Sequence, residues 1–261
     1  MSLNKEFFLY LSEKKIQPKN EVSFCAWAAE HGDLNFLQWA RENGFDWDAS
    51  TCQNAARHGH LEVLIWAREN GCPWDKNTCT SAAEGGHLEV LQWARKNGCD
   101  WNYNTCDHAA FYGHLEVLQW ARENGCDWSN NTVFHAASKG YLEIVQWAIE
   151  NGCRYFSTAS EIAAKGGHLN ILQWLLTNGC PIDDKIFNSA AEGGHLDILQ
   201  WARENDYDFY KVTCRIAVEE GHLDTLKWLL ENSCPWDKQE CLSIAHKRKF
   251  MDIYHWIGEQ K

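Results

Sequence analysis

The chain has 261 residues, a formal net charge of −12 and a pI near 5.4, the wrong sign for binding a phosphate backbone, which excludes nucleic acid as a general partner. Hydrophobic residues make up 45% of it, with 15 Trp among them, and that excludes a disordered chain. No apolar run approaches the roughly 18 residues that a membrane span needs, and Met1–Lys15 contains no signal-peptide core, so the chain reads as cytosolic or nuclear, with the cytoplasm preferred.

In chain order, Leu3–Lys15 reads as an unpaired helix inside an N-terminal capping segment, 1–23. From residue 24 a period takes over. Gly32, Gly59, Gly86, Gly113, Gly140, Gly167, Gly194 and Gly221 follow one another at intervals of 27 residues, and His-Leu follows most of them. A fixed period of this size is the mark of a repeat array in which each unit packs on its neighbours. The repeats are expected over 24–245, and 246–261 is expected to be the second helix of a C-terminal capping repeat.

The unit Asn77–Tyr103 stands for the rest. Asn77 reads as the N-cap of a short helix A over Thr78–Gly85, with Ser50, Asn104, Asn131 and Thr158 in the same place. Cys79, Ala82 and Ala83 would point inward, and Gly86-His87 would make the turn. Helix B follows over Leu88–Asn97, with Leu88, Val90, Leu91, Trp93 and Ala94 apolar, and Gly98 ends it in a left-handed conformation. Asp206 and Ser233 take the place of that glycine later in the chain, where some strain is expected. The pattern predicts nine helix pairs. In the last, Trp256 lies 28 residues after Trp228, and His246-Lys247-Arg248-Lys249 forms a basic loop suited to facing water.

Three ladders tempt a chemical reading. The tryptophans fall on a helix B position (Trp39 to Trp228) and a connector position (Trp47, Trp74, Trp101, Trp128 and Trp236, with Tyr155, Ile182 and Phe209 standing in), and their spacing assigns both to core packing. The 12 cysteines also fall on two positions, where Val133, Ser160, Phe187, Phe45 and Tyr207 replace them. Equivalent residues of neighbouring units are about 8–10 Å apart, beyond the roughly 7 Å Cα limit of a disulfide, so reduced structural thiols are expected. The same rise keeps His60, His87, His114, His168, His195 and His222 from gathering round one metal, and no metal or other cofactor is expected. No phosphate loop, nucleophile elbow or His-Glu-x-x-His motif occurs, so no catalytic residue is assigned and the chain is not expected to be an enzyme.

Ala55-Ala56, Gly59-His60-Leu61-Glu62-Val63-Leu64 and Gly71, repeated along nearly the whole chain, resemble the ankyrin repeat. The Thr-Pro-Leu-His signature is missing, with Ser50–Gln53 in its place, and the unit is about six residues short of the usual 33. Those residues correspond to the projecting β-turn finger. The resemblance therefore implies an all-α, ankyrin-like α-solenoid of stacked helix–turn–helix repeats with clipped connectors. The wording of the repeat is also similar to ankyrin-like proteins of giant viruses and some protists, which would place the chain in a host cytoplasm.

The resemblance further implies a non-enzymatic, monomeric scaffold that binds a protein partner through a concave face made by helix A and the connectors. The positions to inspect are the pair before each Gly-His and the three residues after each connector Trp. Phe111-Tyr112 stands out there, with Tyr103, Phe134, His108 and His135 nearby in the pattern. Arg57, Lys139 and Lys165 make the middle of that face more basic, with His58 beside Arg57 before its turn, and Glu192, Glu219 and Glu220 make its end acidic. Central aromatics of this kind make binding hot spots, or else they pack on one another as a local variant of the core. A self-associating structural or virion component is the alternative, and a ubiquitin-ligase adaptor is a further one without an F-box-like segment to support it.

Overall fold

The computed structural model describes residues 22–154 and 158–260. The Leu3–Lys15 helix, nearly all of the 1–23 capping segment, and Tyr155 lie outside them. Among the described residues there are eighteen helices and no strand. They are α1 Val22–Glu30, α2 Leu34–Glu42, α3 Ala49–Arg57, α4 Leu61–Glu69, α5 Lys76–Gly85, α6 Leu88–Lys96, α7 Tyr103–Tyr112, α8 Leu115–Glu123 and α9 Asn131–Lys139. The series continues with α10 Leu142–Glu150, α11 Thr158–Lys165, α12 Leu169–Thr177, α13 Asp184–Gly193, α14 Leu196–Glu204, α15 Lys211–Glu219, α16 Leu223–Glu231, α17 Lys238–Arg248 and α18 Met251–Glu259. Odd-numbered helices are the A helices and even-numbered ones the B helices. The fold is the expected all-α helical repeat.

The chain divides into two compact units, one of residues 1–109 and 116–127, the other of 110–115 and 128–261. In the first, α1, α3 and α5 stack A on A, and each packs on its own B helix. In the second, α9, α11, α13, α15 and α17 repeat the arrangement.

Helix A begins earlier than the sequence suggests. In α3, α5 and α17 its N-cap is the residue straight after the connector tryptophan. Asp48 and Asp75 each accept the N–H two residues on, from Ser50 and Asn77, at 2.9 Å, and Asp183 and Asp237 do the same at 3.0 and 3.1 Å. Asn77 and Ser50 are therefore not caps but donors to one. A carboxylate here both satisfies an orphan N–H and faces the positive end of the helix. The last A helix, α17, has 11 residues and ends on Lys249 in the left-handed conformation, which accommodates the extra residue.

The core is aliphatic and small. Leu64, Leu91 and Leu118, with Ala55, Ala56, Ala82, Ala83 and the helix A cysteines, are fully buried in the first unit. Leu172, Ile198, Leu199, Leu226, Leu229, Ile253 and Ile257 continue the pattern in the second. The tryptophans do not belong to this core. Every described one is only half-buried. They pair as a flanking layer, each connector ring edge-on to the helix B ring of the next repeat (Trp47–Trp66, Trp74–Trp93, Trp128–Trp147) with centroids 5.8 Å apart. Arg41, Arg68 and Arg95 lie 4.2 Å over Trp47, Trp74 and Trp101 while donating to the carbonyls of Phe45, Cys72 and Cys99. A large ring with one polar edge is suited to this boundary, where the guanidinium stacks on its face and closes the C-terminus of helix B.

Candidate protein-binding face

The histidine that opens each B helix holds consecutive repeats in register. His60 Nε2 lies 3.1 Å from Glu30 O, and His195 and His222 each reach the carbonyl 30 residues earlier at 2.9 Å. Each ring occupies the space over the turn glycine of the preceding repeat. A Cβ on Gly32, Gly167 or Gly194 would come within 2.6, 2.5 and 2.8 Å of His60, His195 and His222. In the second unit Tyr141 replaces the histidine and lies over Gly113. No group of three or more metal-ligating side chains occurs among the described residues.

This register presents the residues before each turn along the helix A edge, and the expected site residues divide between the units. In the first, Arg57 Nη1 pairs with Glu84 Oε1 at 2.7 Å, and His108 Nδ1 lies 3.9 Å from the other oxygen of Glu84. His58 is exposed, its ring 6.4 Å from that of His60. Tyr103 is the first residue of α7 and is 49% exposed. Glu84 is the organising residue of this edge. Reading the positions one repeat at a time missed it, because its partners lie in two other repeats.

In the second unit the aromatics form one cluster. The Phe111 and Tyr112 rings are 5.0 Å apart, and His135 stands edge-on to Phe111 at 5.4 Å. Phe134 lies 5.8 Å from His135, and Lys139 Nζ sits 4.5 Å over the Phe111 ring. Phe111, Phe134 and His135 are half-buried, whereas Tyr112 is 41% exposed. The two expectations for Phe111-Tyr112 thus divide between its members. Phe111 packs within the cluster, and Tyr112 presents a ring to solvent.

The charge gradient along the face is weaker than the sequence suggests. Lys165 pairs with Glu192 at 2.5 Å, and Glu219 accepts from Arg215 at 2.5 Å, so both partners largely cancel. The connector positions are also reduced, because Asp48, Asp75 and Asp237, straight after Trp47, Trp74 and Trp236, are occupied as N-caps.

Models described as Ankyrin repeats (3 copies) match residues 79–159, 106–186 and 160–240, and one described as Ankyrin repeats (many copies) matches 25–68. The chain belongs to the ankyrin-repeat family. No curated protein matches it. Ankyrin repeats generally mediate protein–protein contacts and are generally non-enzymatic. No described helix is long and apolar enough to cross a membrane.

Proposed function

We propose that this ankyrin-repeat chain is a non-enzymatic, monomeric scaffold that binds a protein partner in the cytoplasm through its helix A and connector face. Tyr112 anchors the contact, with Phe111, Phe134, His135 and Lys139 beneath and beside it. Tyr103, His108, Arg57 and His58 form a separate candidate contact on the first unit. The exposed Tyr112 ring, held against Phe111 while Lys139 and His135 cover the rest of that ring, carries the reading. A rigid, amphipathic aromatic loses little entropy on binding, and such residues dominate interface energetics. With Arg57 and Lys165 already paired, ring burial outweighs charge steering.

Affinity capture from cell lysate with the native chain and with Phe111→Ala/Tyr112→Ala tests this. The variant is expected to lose partners that the native chain retains, with far-UV circular dichroism unchanged. Equal recovery of the same partners overturns the site. Self-association is the rival reading, and the exposed Lys247-Arg248-Lys249 segment argues against it. A mass in solution that rises with concentration would favour it.

A further inference from the structure

The expectation of reduced thiols rests on neighbouring copies of one position being a helix spacing apart. The two positions of the same repeat are a different matter. The residue in the first turn of helix A and the residue 20 positions later, just past helix B, face each other. Cys79 Sγ lies 3.9 Å from the Cys99 carbonyl oxygen and Cys106 Sγ 4.0 Å from that of Cys126, and Cys52–Cys72 and Cys214–Cys234 hold the same two places in their repeats. The second sulfur of each pair in turn reaches a connector carbonyl: Asp48, Asp75, Asn102 and Tyr210 at 3.4, 3.2, 3.3 and 3.5 Å. Where serine takes the helix A position, Ser160 Oγ and Cys180 Sγ are 2.7 Å apart, which gives the same juxtaposition with one oxygen. Where both thiols are absent, Phe187 and Tyr207 fill the place together as a ring pair 5.3 Å apart.

We propose that Cys52–Cys72, Cys79–Cys99, Cys106–Cys126 and Cys214–Cys234 are sites of oxidative modification by a small peroxide, each closing to a disulfide within its own repeat. All eight residues are buried, so reaction follows a local opening of the repeat. Either sulfur of a pair can react first once the repeat opens, and the Cys52–Cys72 repeat serves for all four, taken from Cys72. Cys72 Sγ takes one oxygen of hydrogen peroxide as the O–O bond breaks. The other oxygen leaves as water with the thiol proton, and a sulfenic acid remains. Cys52 Sγ then attacks Cys72 Sγ, the S–O bond breaks and the S–S bond forms. The hydroxyl departs as a second water with the Cys52 proton. Two thiols lose two electrons, and one peroxide becomes two waters.

A neutral disulfide suits this apolar seam better than a buried charged metal thiolate would. It would tie the start of helix A to the end of helix B, so an oxidised repeat would resist opening.

The native chain, treated with hydrogen peroxide, alkylated in denaturant and mapped by mass spectrometry, provides the test. The expected products are the four within-repeat links, with Cys25, Cys153 and Cys241 alkylated as thiols. Cys180, facing Ser160, should stop at a sulfenic acid that dimedone captures. The melting temperature should rise on oxidation and return with dithiothreitol. In Cys72→Ser, the 52–72 link should vanish while the other three persist. Links joining different repeats, a mixture matching that of the denatured chain, or eight unreacted thiols would overturn the proposal. The native-chain map decides the matter even if the serine variant fails to fold.

Discussion

Gly179 and Gly194 lie in the same unit, with φ of +88° and +74°, yet they should respond very differently to alanine. At Gly179 a Cβ would meet nothing within 4 Å, so Gly179→Ala bears only the left-handed backbone penalty, about 1 kcal/mol. At Gly194 the Cβ would come within 2.8 Å of His222 Nδ1, and the ring cannot stay. Moving it forfeits the 2.9 Å bond from His222 to Glu192 O, about 1 kcal/mol, and disturbs a packed seam. Gly194→Ala should therefore cost about 2–3 kcal/mol, roughly twice its counterpart or more. Urea denaturation followed by tryptophan fluorescence measures both. A double variant, Gly194→Ala/His222→Ala, should cost less than the sum of its parts, because the clash disappears with the ring. Equal costs for the two glycines, or strict additivity in the double variant, would refute the clamp. The chain itself carries a version of this experiment. Asp206 and Ser233 replace the Gly179-type residue at φ of 61° and 63°. Among the described residues Lys249 takes the Gly194-type place in the last repeat, at φ of 64°.

Asp75→Ala, which removes the N-cap of α5, should cost about 1 kcal/mol, read from the same urea transition, while Asn77→Ala should cost less. Leu199→Ala opens a cavity at a fully buried site and should cost about 2–5 kcal/mol; a value below 1 would mean that the repeat collapses around it. Burial pushes the Cys25 and Cys241 thiols from 9.0 up to about 11. A raised pKa means that the unfolded chain ionises first, so their contribution is full below pH 9 and is lost as the pH climbs toward 11. Cys25→Ala should flatten that alkaline fall. Finally, partner capture should change little between about 50 and 500 mM salt, because the face's cations are largely paired.

The period, the helix pairs, the glycine stops and the buried cysteines were all legible in the residues, since each is a local requirement copied from repeat to repeat. Leu91 and Ala94 were assigned inward and lie there. The helix A start was misplaced by two residues because Asn77 is a good cap by type, and only the backbone shows Asp75 already in that role. The tryptophans were misassigned because spacing tells which residues repeat, but not which side of a helix faces solvent. At the candidate site the residues that break the repeat were visible. Glu84 between Arg57 and His108, and Lys139 above Phe111, were not.

By itself, the sequence determined that this protein is a stack of ankyrin-like units, because a 27-residue unit cannot bury enough surface alone and must repeat. Only the tertiary structure decided which residues meet across 20, 27 or 30 positions. Those contacts pair cysteine with cysteine, lysine with glutamate, and histidine with a distant carbonyl. A period specifies what recurs along the chain, whereas a contact depends on the rotation and rise that stacking imposes, and those follow from how the small alanines and the histidine rings fit between helices.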